Sequence, residues 1–245
     1  MSLKDKVIIV TGGKRGIGKA ISILLAREGA NLVICARNQD GLETLKEQLS
    51  FINKDIKVFC KAVDVRMPEQ VNLFIDEVKQ NFGRIDVLIN NAAIISHGLL
   101  HETNNFNWDI VIETNLKGPF LCMKHVIPHM KDQQSGHIIN IGSISTKLGF
   151  AVFSLYCASK FGLRGMSIAL REELRADNIQ VSIINPGCVD TEMWEQIPGE
   201  HNLELMMKPE DIAQAVLYIL NNANNSTIDE LDITSKQFIP IPHIV

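Results

Sequence analysis

The chain has 245 residues, 46% of them hydrophobic and 21% charged, with a formal net charge of −4. That length buries a large core, and open α/β sheets often reach it as one domain. The charge balance gives no support to nucleic acid or an anionic membrane as the main partner, and no apolar run approaches the ~18 residues of a membrane helix.

The N-terminus, Met1-Ser2-Leu3-Lys4-Asp5-Lys6, has no apolar stretch of the kind that makes a signal peptide. Five cysteines (Cys35, Cys60, Cys122, Cys157 and Cys188) are scattered without C-x-x-C spacing. They read as reduced core thiols of a cytoplasmic protein and not as a disulfide framework.

Val7-Ile8-Ile9-Val10 is a β-branched run of the kind found in parallel strands buried on both faces. Thr11-Gly12-Gly13-Lys14-Arg15-Gly16-Ile17-Gly18 follows, then a helical pattern over Ile17–Glu28. Strand, glycine turn and helix make the start of a dinucleotide-binding unit: the glycines admit a pyrophosphate and the helix N-terminus offers free N–H groups. The same residues also suit a tight turn that holds no ligand.

Asn31–Ala36 reads as the second strand. An NAD site wants a carboxylate at its end, for the ribose 2′-hydroxyl. Here Ala36 is followed by Arg37, with Lys14 and Arg15 in the glycine turn. Three cations without a carboxylate suit a 2′-phosphate and point to NADP(H); solvated surface cations are the alternative.

Further along, the pattern predicts a helix over Leu42–Leu49 and a strand over Ile56–Ala62. A helix opened by Pro68 runs to Phe82, with Gly83 as C-cap, and a strand covers Asp86–Asn90. This alternation favours an open parallel sheet with helices on both faces, its ligand edge at the strand C-termini. A long helical region is expected over Asn104–Met130, with Pro128 interrupting the His125/His129 pair, so no metal site is expected. A sixth strand covers Val181–Asn185, a helix begins at Lys208-Pro209 and ends near Leu220, a polar turn spans Asn221–Ser226, and a last short strand covers Leu231–Thr234. Residues 188–207 carry Met193, Trp194, Ile197, Pro198, Met206 and Met207. This is an apolar segment that could close over a ligand or form an ordinary surface loop. No repeat or linker divides residues 1–245, which read as one domain.

The remaining stretch runs from Ser143 to Lys160. His137–Ile141 is a short apolar strand that delivers Gly142 and Ser143 to the sheet edge. Tyr156 and Lys160 have i,i+4 spacing, which sets them side by side on a helix that continues to about Asp177. A neighbouring ammonium favours phenolate and would lower the Tyr156 pKa, suiting the phenol to acid–base work near neutral pH. A nearby Ser143 hydroxyl would hold the oxygen that gains or loses the proton.

Together these residues resemble the short-chain dehydrogenase/reductase family, over roughly residues 4–234. The likeness rests on Thr11-Gly12-x-x-x-Gly16-x-Gly18, Asp64 after the third strand, Asn90-Asn91-Ala92, Ser143 with Tyr156 and Lys160, and Pro186-Gly187. It implies a Rossmann-type, doubly wound parallel sheet of about seven strands. It also implies hydride exchange between NADP(H) and a ketone or secondary alcohol.

In such a protein Tyr156 would be the acid/base, Lys160 would tune it and bind the nicotinamide ribose, Ser143 would orient the carbonyl, and Asn115 would hold a relay water. Asp64 and Val65 would contact adenine, Asn91 would support the cofactor, and Thr191 would hold the carboxamide. Thr11, Gly12, Lys14, Arg15, Gly16, Ile17, Gly18, Arg37, Ala92, Pro186, Gly187 and Val189 would complete the cofactor site.

The leading substrate expectation is a 3-oxoacyl thioester, as for 3-oxoacyl-[acyl-carrier-protein] reductases. A small ketone, a sugar or polyol, or a steroid-like alcohol is the alternative; a non-catalytic NADP-sensing protein is a third reading. Ile94, Ile95, Leu148, Phe150, Met193 and Trp194 would face the substrate, and His97 is a further candidate. The resemblance also implies a homotetramer or homodimer paired through the helices of 104–130 and 153–177. The chain departs from the family pattern at Ala93, at Gly142, and over Ile228–Ser235, which replaces a Thr-Gly…Gly-Gly segment.

Overall fold

Every residue of β1, Val7–Thr11, is buried. A strand buried on both faces must be apolar on both, and this one divides its side chains by alternation. Ile8 and Val10 enter one core, while Val7 and Ile9 enter the other. The computed structural model describes residues 3–222 and 226–236. Met1-Ser2 and part of the turn expected over Asn221–Ser226 therefore lie outside the described residues.

The elements follow in chain order as α1 Gly16–Arg27, β2 Asn31–Ala36, α2 Leu42–Ile52, β3 Val58–Ala62, α3 Pro68–Phe82 and β4 Val87–Asn90. The second half holds α4 Asn105–Ile112, α5 Gly118–Gln133, β5 Gly136–Ile141, α6 Ser154–Leu174, β6 Ile179–Pro186, α7 Pro209–Asn221 and β7 Glu230–Ile233. The seven strands form one sheet in the order β3-β2-β1-β4-β5-β6-β7. All pairs are parallel. This is the doubly wound, Rossmann-type sheet.

One core lies between the sheet and α1, α2 and α7, with Ile21, Leu25, Leu45, Val216 and Ile219 fully or almost fully buried. The other lies under α3 and α5, through Phe74, Ile75, Val78, Val126 and Met130. Strand order reverses between β1 and β4, which opens a crevice beyond their C-terminal ends. No helix among the described residues is long and apolar enough to cross a membrane.

Two expectations are corrected. The long helix over Asn104–Met130 is three pieces: α4, a π-helical turn over Glu113–Lys117, and α5. Pro128 sits inside α5 without ending it. Periodicity does not detect a π turn, because a single turn of five residues is too short to set a period of its own.

Asp86 fixes the register of β1 against β4. Its carboxylate accepts the Val7 N–H at 2.9 Å, the Lys6 Nζ at 3.0 Å and the Arg84 Nε at 2.7 Å. Burial alone would raise its pKa, but the Arg84 guanidinium, the Val7 N–H and Lys6 outweigh it and hold the carboxyl below its ordinary value. The folded-state pKa is depressed, so the stabilisation is complete above the ordinary carboxylate range and is lost as pH falls through it. Asp86→Ala is expected to cost about 2 kcal/mol in urea unfolding at pH 7, since the cations retain access to water. The deficit against wild type should shrink on acidification. A deficit that is pH-independent would contradict this account.

Candidate active site

The turn after β1 is shaped by what it approaches. Gly12 has φ +63 and Gly16 φ +50, left-handed values that favour glycine. A Cβ on Gly12 would lie 2.9 Å from Ala92 Cα, and one on Gly18 would lie 2.5 Å from both Gly12 O and Asn91 Nδ2. Side chains fasten the contact. Thr11 Oγ1 accepts the N–H groups of Asn91 at 3.0 Å and Ala92 at 3.1 Å. Asn91 Nδ2 donates to Thr11 O at 3.0 Å and Gly12 O at 3.1 Å.

Helix α1 then begins with no side-chain cap and no acidic residue in its first turn. Its first N–H groups and positive dipole end suit an anion. Lys14, Arg15, Arg37 and Asn38 line the same cleft, and β2 ends beside it in Ala36. Among the described residues neither Lys14, Arg15 nor Arg37 has an ion-pair partner. A cradle that admits no side chain, an uncapped helix and unpaired cations together fit an anionic dinucleotide.

The cleft encloses about 380 Å³ and brings most of the candidates together. Gly12, Lys14, Arg15, Gly16, Ile17, Arg37, Asp64, Val65, Asn91 and Ala92 line one end. Ser143, Tyr156, Lys160, Pro186, Gly187 and Val189 line the other, and Thr191 lies beside Gly16 between them. Thr11 and Gly18 lie beneath the wall and shape it from behind. Asp64 is bound to Arg66, whose guanidinium holds its carboxyl below the ordinary value. Arg66 and Asn38 also line the cleft and were missed from sequence; the Asp64-x-Arg66 charge pair was the available signal for the first.

Ser143 ends the β5 excursion in extended backbone, and its Oγ accepts the Ser145 N–H at 3.1 Å. Helix α6 starts at Ser154, so Tyr156 stands in its first turn and Lys160 in the next. The Tyr156 phenol and the Ser143 side chain line the cleft together, and Ser143 favours the ionised phenol. Lys160 is 2% exposed, donates to Ile141 O at 2.9 Å, and has its Nζ 5.6 Å from the Tyr156 ring centre.

The expected lowering of the phenol pKa is corrected. Burial pushes Tyr156 up to about 12 against the opposing pull of Ser143, and burial pulls Lys160 down to about 8. Spacing sets the two groups side by side, but desolvation acts against the charged form of each.

Asn115 belongs to the π turn, is 1% exposed and does not line the cleft. Its Oδ1 accepts the Ile94 N–H and its Nδ2 donates to Ile94 O, both at 2.8 Å. Nδ2 also reaches Ser159 Oγ at 3.1 Å, and that hydroxyl donates to Tyr156 O at 2.7 Å. One carboxamide thus joins the Ile94 wall to the base of α6.

Ile94, Ile95, Phe150, Phe153, Met193 and Trp194 give the cleft an apolar flank. Leu148 is 53% exposed and neither it nor His97 lines the cleft. Only part of 188–207 faces the cleft. Met193 and Trp194 do so, the latter held by its Nε1 to Val189 O at 2.8 Å, whereas Met206 and Met207 are buried.

Gly18→Ala is expected to weaken dinucleotide binding by about tenfold or more, because the methyl displaces Asn91 or the Gly12 carbonyl. Gly149→Ala, where a methyl meets nothing within 4 Å, is the control. Fluorescence titration of the reduced dinucleotide reads both, and equal affinities would contradict the cradle.

The short chain dehydrogenase family model matches residues 6–202. An uncharacterised oxidoreductase of Staphylococcus saprophyticus is 34% identical over 241 residues, covering 95% of this chain and 96% of that protein. The 3-oxoacyl-[acyl-carrier-protein] reductase of Thermotoga maritima is 34% identical over 233 residues, covering 92% and 94%. A solved metagenomic short-chain oxidoreductase in complex with NADP superposes with a TM-score of 0.85 at 32% identity, covering 97% of this chain and all of that one. The chain belongs to the short-chain dehydrogenase family.

Proposed function

We propose that the protein is an NADP(H)-dependent oxidoreductase that interconverts a ketone and a secondary alcohol. The observation that carries this reading is that Ser143, the Tyr156 phenol and a buried Lys160, its Nζ 5.6 Å from the phenol ring centre, line one apolar end of the cleft. The unpaired cations at the other end support NADP(H), as does the relative solved with NADP.

The bound nicotinamide supplies or takes up hydride; the chain supplies the rest. Ser143 donates a hydrogen bond to the carbonyl oxygen and fixes it beside Tyr156. Tyr156, a neutral phenol because its pKa is raised, gives its proton to the developing alkoxide. Lys160 stabilises the phenolate that results, and its donation to Ile141 O fixes the ammonium in place. Asn115 acts from behind by holding the Ile94 backbone. Met193 and Trp194 cover the cleft as part of a lid.

The leading substrate is a 3-oxoacyl thioester, by likeness to the Thermotoga reductase. A small ketone, sugar or polyol, or steroid-like alcohol is the alternative. We further propose that the residue-1–245 chain is one domain, acts in the cytoplasm and pairs with copies of itself. Large apolar side chains exposed on α4, α5 and α6 (Phe106, Trp108, Phe120, Phe161 and Ile168) support the pairing.

Initial rates with acetoacetyl thioester and a ketone panel, using NADPH and NADH separately, test the reading. Turnover with a clear NADPH preference is expected. Arg37→Ala should cut that preference by about tenfold, the worth of one charge-assisted hydrogen bond. Tyr156→Phe should lower kcat by about 10²–10⁴-fold while NADPH still binds. Tight NADPH binding with no turnover of any carbonyl would favour a non-catalytic sensor.

The pH dependence has a definite sign. The folded-state phenol pKa lies above its ordinary value, so the protonated acid needed for reduction persists through the neutral range. Alcohol oxidation needs phenolate and should climb with pH across that range, while ketone reduction should not. Parallel rise of both rates would contradict the assignment.

A further inference from the structure

The segment Ile228–Ser235, which departs from the family pattern, bonds to the turn after Ser143, to the tyrosine helix and to the segment that follows Trp194. Its core is β7, which pairs with β6 so that Glu230 lies opposite Ile183 and Asp232 opposite Asn185. Residues two apart on a strand face the same way, so both carboxylates project from one face. They converge on Asn185, which is completely buried and whose Nδ2 donates to Glu230 Oε1 at 2.7 Å and to Asp232 Oδ1 at 2.8 Å.

From there two arms reach out. Toward the Ser143 turn, Asn185 Oδ1 accepts the Thr146 hydroxyl at 3.0 Å. Lys147 Nζ donates to both Asp232 oxygens, at 2.9 and 2.7 Å, and lies 3.1 Å from Glu230 Oε1. Thr146 closes back on Ser143 O through its N–H at 2.9 Å. Toward the tyrosine helix, Arg164 stands one turn beyond Lys160 and grips Glu230 with a two-pronged pair, at 2.9 and 3.1 Å. Such forked, charge-assisted pairs fix orientation as well as distance. The same strand accepts the Gly187 N–H through Ile233 O at 2.8 Å, and Ser235 Oγ donates to Leu205 O at 2.6 Å in the segment that follows Trp194.

The direct chain between Ser143 and Tyr156 does not set their spacing unaided. It passes through Val152 at φ +61, a left-handed value that a β-branched residue adopts only under constraint from its surroundings. Something other than the loop must hold its two ends. We propose that β7 does so: Glu230 and Asp232 are positioning residues that set Ser143, through Lys147 and Asn185, against Tyr156, through Arg164. This rests on the reading of Ser143 and Tyr156 as the reacting pair. The network remains ionised wherever such an enzyme would be assayed. The Arg164 guanidinium first, then Lys147 and Asn185, hold the Glu230 carboxyl at about 2 against the opposing pull of burial.

The test is Glu230→Gln, which keeps the shape and removes the charge, measured alongside Arg164→Lys, Tyr156→Phe and wild type. Displacement of a reacting group by a fraction of an ångström changes chemistry more than binding. Glu230→Gln is expected to lower kcat for ketone reduction by about tenfold or more, with the NADPH dissociation constant within about twofold of wild type. The isotope effect on kcat from deuterated NADPH should rise, because hydride transfer becomes the slow step. Arg164→Lys, which keeps the charge but loses the fork, should show the same split, and it decides the matter if Glu230→Gln does not fold.

A kcat within twofold of wild type together with a lowered melting temperature would overturn the proposal and leave β7 as a structural staple. A loss confined to KM would overturn it too. Tyr156→Phe separates the two layers. An active Tyr156→Phe sinks the reading of the reacting pair, whereas an inactive one beside a full-rate Glu230→Gln sinks only the positioning role.

Discussion

The approach of the Gly12–Gly18 turn to the Asn91-Ala92 backbone is the constraint on which the rest of the cleft depends. It exists because β1 and β4 are neighbours at the point where strand order reverses, and both are apolar enough to be buried on both faces. The strands can pair only where their loops can also pass, and at Gly12 and Gly18 there is no space for a side chain. Thr11 and Asn91 then convert mere proximity into four hydrogen bonds. Polar groups that would otherwise be stranded at the strand ends are satisfied there, and the helix N-terminus is left clear for an anion.

At the other end of the cleft burial governs the chemistry. Lys160 is almost wholly enclosed, so its charge is expensive, and its ammonium is held by the Ile141 carbonyl. Tyr156 is half-buried in the cleft wall, and desolvation there pushes its pKa up, toward the protonated phenol. A buried cation behind a neutral phenol is a biased arrangement: the proton is ready to leave, and the charge that would receive the resulting phenolate is already paid for by the fold. The carboxylate pair on β7 extends this logic outward, joining the serine turn and the tyrosine helix through groups that never meet the reacting atoms.

Much of this was legible in the sequence. The β-branched runs gave the buried parallel strands because burial on two faces leaves no room for polar alternation, and Tyr156/Lys160 spacing placed both groups on one helix face. Alanine at the end of β2 beside Arg37 announced the cations that line the cleft. What failed to show has physical reasons. The π turn around Asn115 is invisible to periodicity, and a carboxamide that binds its own backbone partner looks from sequence like any other asparagine. Desolvation depends on what surrounds a group in three dimensions, so the sign of the Tyr156 shift could not be read from the neighbouring lysine. The β7 carboxylates lie 66 positions from Arg164 in the case of Glu230, beyond any local pattern.

The chemistry proposed for this end of the cleft turns on Tyr156 carrying its proton across the neutral range. Because the chain has two tyrosines, Tyr218→Phe leaves Tyr156 as the single phenol, and its phenolate absorbance in the near ultraviolet can be titrated directly. The account predicts no ionisation through pH ~10, where an exposed phenol is half-titrated, and a midpoint near 12. A midpoint at or below 10 would contradict it, and would mean that the Lys160 charge outweighs burial.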